Sequence, residues 1–323
     1  MLRAFRFTVR AAVPRGAAAG IALLVAAAFG PSARAGLVIN ATYDSSVPVA
    51  AQTAFNYAIN EYESLFTNNM TVNINVSFGN TGLGESDSQF VGGFTYAQVL
   101  GALQAQAAAN PSDVIKQTVV ANLPATNPAP NNNFWMTTAE AKALGLYNNV
   151  GSDGQIIFSN AVSYTYDPNN RAVAGEYDFI GVAEHEISEV LGRDSLLGYD
   201  FGNGPSYDPN DLYRFTNGAR NFTLNQSDPP GVYFSIDGGV TNLVNFYSQG
   251  IDNDDYRGDN PSDPYNQFAA AGQGHALTSV DITNMDALGY NLATVAAPEP
   301  ASLTLLSLGV AGLAGYGWRR RRE

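Results

Sequence analysis

Residues 183–193 read Ala183-Glu184-His185-Glu186-Ile187-Ser188-Glu189-Val190-Leu191-Gly192-Arg193. In a helix, His185 and Glu189 stand one turn apart on a single face, and Glu186 lies about 100° round the axis from His185. An imidazole and a carboxylate at that spacing can share Zn²⁺, because zinc accepts carboxylate oxygen at about 2.0–2.2 Å, close to its distance from imidazole nitrogen. Glu186 is then beside the metal without being a ligand, which is the position of a general base. A carboxylate where a second imidazole would serve adds negative charge and makes the metal a weaker Lewis acid.

The pattern predicts that this helix starts after Asp178 as N-cap and runs to Leu191, with Gly192 as its stop. Phe179, Ile180, Val182, Ile187, Val190 and Leu191 bury it on several sides. Carboxylates in so apolar a helix need a partner. A metal ion supplies one, and a solvated or locally hydrogen-bonded His/Glu face is the alternative.

Working outward, Leu37–Tyr43 alternates like a strand. Residues 47–66 carry Ala51, Phe55, Ala58, Ile59, Tyr62 and Phe66 at helical spacing, and 70–78 alternate strictly. Strand, helix and strand in that order predict a mixed sheet backed by a long helix, hence an α+β fold. The stretch 79–91 reads as a loop, 96–109 and 113–122 as helices, and 123–135 as a Pro/Asn-rich surface loop. Thr137 can cap a short helix through Ala143, while 156–158 and 162–166 are strand candidates for the edge above a cleft. Beyond Gly192 come turns, short strands at 212–215, 221–224 and 232–236, and a capped helix from Thr278 closed by Gly289. The aspartates of 252–255 and 259–263 offer oxygen ligands to Ca²⁺, but EF-hand spacing and glycine-rich nonapeptides are absent, so a solvated loop is the simpler reading.

Both ends are addresses. Residues 1–35 combine arginines, an apolar run and Ala33-Arg34-Ala35, the pattern of a secretory signal peptide. Residues 298–323 place Pro298-Glu299-Pro300 before an apolar stretch, 301–318, and Arg319-Arg320-Arg321-Arg322. This tail resembles the PEP-CTERM sorting signal, which implies an exosortase as partner, membrane contact through this segment alone, and release to the cell envelope or exterior. The intervening 36–297 forms one domain holding seven basic and 27 acidic residues, near −20 in net charge. That balance argues against nucleic acid and anionic membrane as partners. Without cysteine, an exported chain must rely on its core rather than on disulfides.

His185-Glu186-x-x-Glu189-x-x-Gly192 is similar to the metzincin signature, and Met285-Asp286-Ala287-Leu288-Gly289-Tyr290 resembles the last helix of matrixin-type domains. Together with Asp211-Leu212-Tyr213-Arg214-Phe215 and Tyr233-Phe234-Ser235-Ile236-Asp237, these residues resemble a family of exported bacterial metalloproteases with the same sorting tail. The resemblance implies a zincin-like domain and a zinc-dependent endopeptidase acting on protein or peptide, with Glu186 as general base. Its third ligand would fall at Ser195, a poor one, so Asp211, Asp194, Asp208 and His275 are the candidates. Asp211 is preferred, since it directly precedes an apolar-aromatic strand; Met285 reads as core. The rival expectation is a catalytically degenerate zincin fold that binds matrix or surface partners.

Overall fold

A computed structural model of the chain describes residues 36–224, 231–247 and 253–293. The signal at 1–35 and the tail at 298–323 lie outside the described residues. The chain divides into the units Met1–Ala35 and Gly36–Glu323, and all that follows concerns the second.

Alternation builds the main sheet. In β2 (Met70–Gly79), Val72, Ile74 and Val76 are buried while the residues between them are not. β1 (Leu37–Tyr43) joins it in parallel, Leu37 opposite Met70, and the connection is α1 (Val49–Leu65), which buries Ala51, Phe55, Ala58 and Tyr62. β6 (Gly154–Ser159) pairs in parallel on the far side of β2, and β3 (Gly84–Ser88) closes the sheet antiparallel to β6, giving the order β1-β2-β6-β3. The fold is α+β, with several smaller sheets beside this one: β4 (Phe90–Phe94) with β5 (Phe134–Thr137), β7 (Tyr164–Thr165) with β8 (Tyr177–Asp178), and an antiparallel set of β9 (Arg214–Thr216), β10 (Ala219–Arg220), β11 (Tyr233–Phe234) and β12 (Val244–Asn245).

Local chemistry sets the helix ends. Thr95 and Gln98 form a reciprocal capping box for α2 (Tyr96–Ala109), Asp113 caps α3 (Val114–Asn122), and Thr137 caps α4 (Thr138–Ala143). Helix α5 (Phe179–Val190) carries the quoted motif; Asp178 accepts from the Ile180 amide at its start. At its end, Gly192 adopts φ +114°, a conformation other residues rarely reach. The ring of Phe179 packs 4.3 Å from Phe158 and stacks on Phe78, which seats α5 against the sheet. Tyr62 donates to the Glu184 carbonyl at 2.7 Å and Tyr290 to that of Leu191 at 2.7 Å, fastening α5 at two levels. α6 (Ser279–Ala287) closes the domain, with Met285 fully buried in the core.

Several sequence expectations change. Residues 79–91 hold β3 and the start of β4 rather than a loop, because Gly-Glu-Ser-Asp-Ser carries no apolar alternation and becomes a strand only by pairing with β6. The edge strand is therefore β3, whereas 156–158 lie inside the sheet. Leu212 sits in a short 3₁₀ turn, Pro209–Tyr213, ahead of β9.

Candidate metal centre

The helix places His185 and Glu189 side by side, with His185 Nε2 3.0 Å from Glu189 Oε1. The same nitrogen lies 3.3 Å from Asp255 Oδ1. Ligand atoms of His185, Glu189 and Asp255 all fall within 4.8 Å of one another, and no other such group occurs among the described residues. The other imidazole nitrogen, Nδ1, is 2.7 Å from the Pro264 carbonyl, which can only accept. That bond makes Nδ1 the protonated nitrogen and leaves Nε2 to face the two carboxylates with its lone pair or a second proton.

Arg193 supports the group from beneath. Its guanidinium is wholly buried and bonds Glu189 at 3.1 Å, Asp255 at 2.7 Å and Asp254 at 3.1 Å, while its Nε donates to Ser188 Oγ at 2.7 Å. It also lies 4.7 Å from the Tyr265 ring centre. Ser86 Oγ, on β3, donates to the second oxygen of Glu189 at 2.8 Å. Three carboxylates thus share one guanidinium, an excess of two negative charges when all are ionised. A divalent cation between His185, Glu189 and Asp255 would neutralise that excess, and the mixed nitrogen and oxygen donors suit zinc.

The titration tendencies without a metal express the same imbalance. Burial disfavours the charged imidazole, but Asp255 and Glu189 outweigh it and raise His185 to about 10. Burial likewise opposes ionisation of Glu189, yet His185 and then Arg193 hold it down at about 2. Asp254 is pushed well above the usual carboxylate range by burial and then by its neighbour Asp255.

Glu186 faces the same cleft, which has a volume of about 870 Å³ and runs between β3 and the segment around Asp263–Ala269. Burial first, then the Glu189 carboxylate, raise its proton affinity strongly. Gly84 of β3 makes room for it: a Cβ there would lie 2.2 Å from Glu186 Oε1.

Of the sequence candidates for a third ligand, the structure brings none to the group. Asp211 is wholly buried, and its oxygens accept from Ser195 Oγ at 2.6 Å, Leu196 N at 3.2 Å and Asp208 N at 2.9 Å. It is the partner of Ser195, stitching the chain after Gly192 to the turn before β9, and Asp255 rather than Asp211 stands beside His185 and Glu189. Asp208 caps that turn. Asp194 lines the cleft with its carboxyl raised to about 7, by burial and then Glu189. His275 also lines the cleft, packed over Gly181, where a Cβ would meet its own Cβ at 2.7 Å. In the loops read as Ca²⁺ candidates, Asp254 and Asp255 bind Arg193, and Asp259 pairs with Arg257 at 2.9 Å. Asp255 had only the density of aspartates at 252–255 to mark it, and Arg193 only its place just past the helix stop.

No curated protein and no solved structure matches this chain. No helix among the described residues is long and apolar enough to cross a membrane, and the apolar run at 301–318 lies outside them. Residues 296–322 match the PEP-CTERM protein-sorting motif, so the chain is an exported protein processed by an exosortase and sorted to the cell surface.

Proposed function

We propose that this exported protein is a zinc-dependent endopeptidase of zincin-like architecture. The observation that carries the reading is the convergence of His185 Nε2, Glu189 Oε1 and Asp255 Oδ1 beside Glu186, on one helix and one acidic loop that open into one cleft. A parallel sheet with an antiparallel edge strand against that helix supports the architecture. The cleft also suits a polypeptide. β3 is one edge of the sheet and contributes Gly84, Glu85 and Ser86 to the lining, and an extended chain can align with an edge strand.

Each residue then has a distinct task. His185, Glu189 and Asp255 hold the ion, His185 being oriented by Pro264 and the two carboxylates by Arg193 and Ser86. Zinc, when bound, polarises the scissile carbonyl and makes water more acidic. Glu186 accepts the proton of the attacking water and delivers it to the leaving amine, a cycle suited to a carboxylate whose proton affinity is raised by burial. Glu186→Gln should keep zinc and lose peptidase activity, whereas His185→Ala should lose both. Wild-type turnover in Glu186→Gln would refute the reading.

A further inference from the structure

One end of the cleft is built from aromatic rings. Phe201 lies 5.2 Å from Trp135, 5.5 Å from Phe90 and 6.1 Å from Tyr199, the last pair nearly parallel at 24°. Tyr199 and Phe201 leave 44% and 40% of their surface exposed. Phe90, Tyr199 and Phe201 line the same cleft as His185, Glu186 and Glu189. Aromatic surface held in water is unfavourable unless a partner covers it.

The segments that carry the rings are tied together by hydrogen bonds of Asn133 and Asn131, residues outside the aromatic cluster. Asn133, itself buried, donates from its amide to the carbonyls of Gly202 at 2.8 Å and Gly204 at 3.0 Å, and accepts the indole N–H of Trp135 at 3.0 Å. Asn131 adds a bond to the Pro205 carbonyl at 2.8 Å. Main-chain bonds from Tyr207 to Asn133 and from Trp135 to Tyr207 complete the attachment of loop to β5. Across the β4–β5 pair, Gly92 lies under the indole, where a Cβ would be 2.1 Å from Trp135 Cδ2.

Charge narrows the occupant further. Seven carboxyl groups and no lysine or arginine line the cleft, and Glu85, Asp194 and Asp263 among them stand outside the set that Arg193 and a bound metal would neutralise. The nearby Arg193 is already shared by Glu189, Asp254 and Asp255. Such a cleft repels acidic segments and attracts basic ones.

Building on the peptidase reading, we propose that this platform is a specificity subsite. It receives an apolar or aromatic side chain of a polypeptide whose flanking residues are basic. The contact is ring against side chain, and the acidic lining sets the sign of the flanks.

The test uses residues 36–297, which contain every residue of the fold described above. Trp135 is the only tryptophan in that span, so its fluorescence reports on the platform directly. In a Glu186→Gln background, short synthetic peptides with a central Phe or Ser and Lys or Glu flanks are titrated by calorimetry and fluorescence. The Phe-centred, Lys-flanked peptide should bind saturably, and Phe201→Ser or Tyr199→Ser should weaken it at least ~10-fold. Ser at the centre or Glu in the flanks should weaken it comparably. Equal binding by the ring variants, or by the Glu-flanked peptide, overturns the proposal. Platform-dependent binding without hydrolysis by the unsubstituted protein would remove the peptidase reading and keep the subsite. Hydrolysis indifferent to both ring substitutions would remove the subsite and keep the peptidase.

Discussion

Gly84→Ala should separate catalysis from metal binding and from folding. The added Cβ would fall 2.2 Å from Glu186 Oε1, 2.7 Å from its Cδ and 2.8 Å from its Cγ, where ordinary contact begins at 3.4 Å. The carboxylate must therefore retreat by roughly 1 Å, a displacement of the size that costs about 10²-fold in rate when it misplaces a catalytic group. Stability should fall by only ~1 kcal/mol, the low end of overpacking, because the crowded atoms are the end of one side chain rather than backbone. His185, Glu189 and Asp255 are not among the atoms crowded, so zinc content should be unchanged. Zinc by elemental analysis, thermal unfolding and kcat/KM on a fluorogenic peptide read the three quantities separately. Wild-type kcat/KM in a folded, zinc-loaded Gly84→Ala protein would refute the assignment of Glu186 as base.

Arg193→Met should destabilise the metal-free protein by about 3 kcal/mol, since it strands the buried Asp254 and Asp255 and the half-buried Glu189; chemical denaturation checks this, and Arg193→Lys should recover only part. Asp211→Ala should cost about 1–3 kcal/mol, because it removes the acceptor of Ser195, Leu196 and Asp208, yet leave zinc bound, as elemental analysis of the refolded variant would show. In metal-free protein, His185 titrates near 10 rather than its ordinary 6.5, so its contribution to stability is complete below pH 6.5 and is lost as pH rises through about 10. Unfolding of EDTA-treated protein across that window should show the loss in wild type and not in His185→Gln.

What was legible in the sequence is local. Strict alternation in 70–78 announced β2, and the caps Thr137, Asp178 and Thr278 announced helices whose starts depend on a side chain two or three residues away. That His185 and Glu189 stand together on one helix face was legible for the same reason, because helical periodicity converts spacing into geometry. β3 was not, since its polar residues become a strand only through pairing with β6, more than sixty residues on. Nor was Asp255. It meets His185 from 70 positions further along the chain, and no periodic rule connects an acidic loop to a helix face. Asp211 misled because a buried aspartate before an aromatic strand has the surroundings of a ligand, while its actual partners are Ser195 and two backbone amides.

The most direct test is the metal content of purified 36–297 set beside that of its Asp255→Ala variant, each after dialysis against zinc-buffered solution and followed by elemental analysis. The arrangement of His185, Glu189 and Asp255 predicts one zinc per wild-type chain and almost none in the variant, which circular dichroism should show to be folded. Wild type without stoichiometric metal, or Asp255→Ala that keeps a full zinc, would contradict the account.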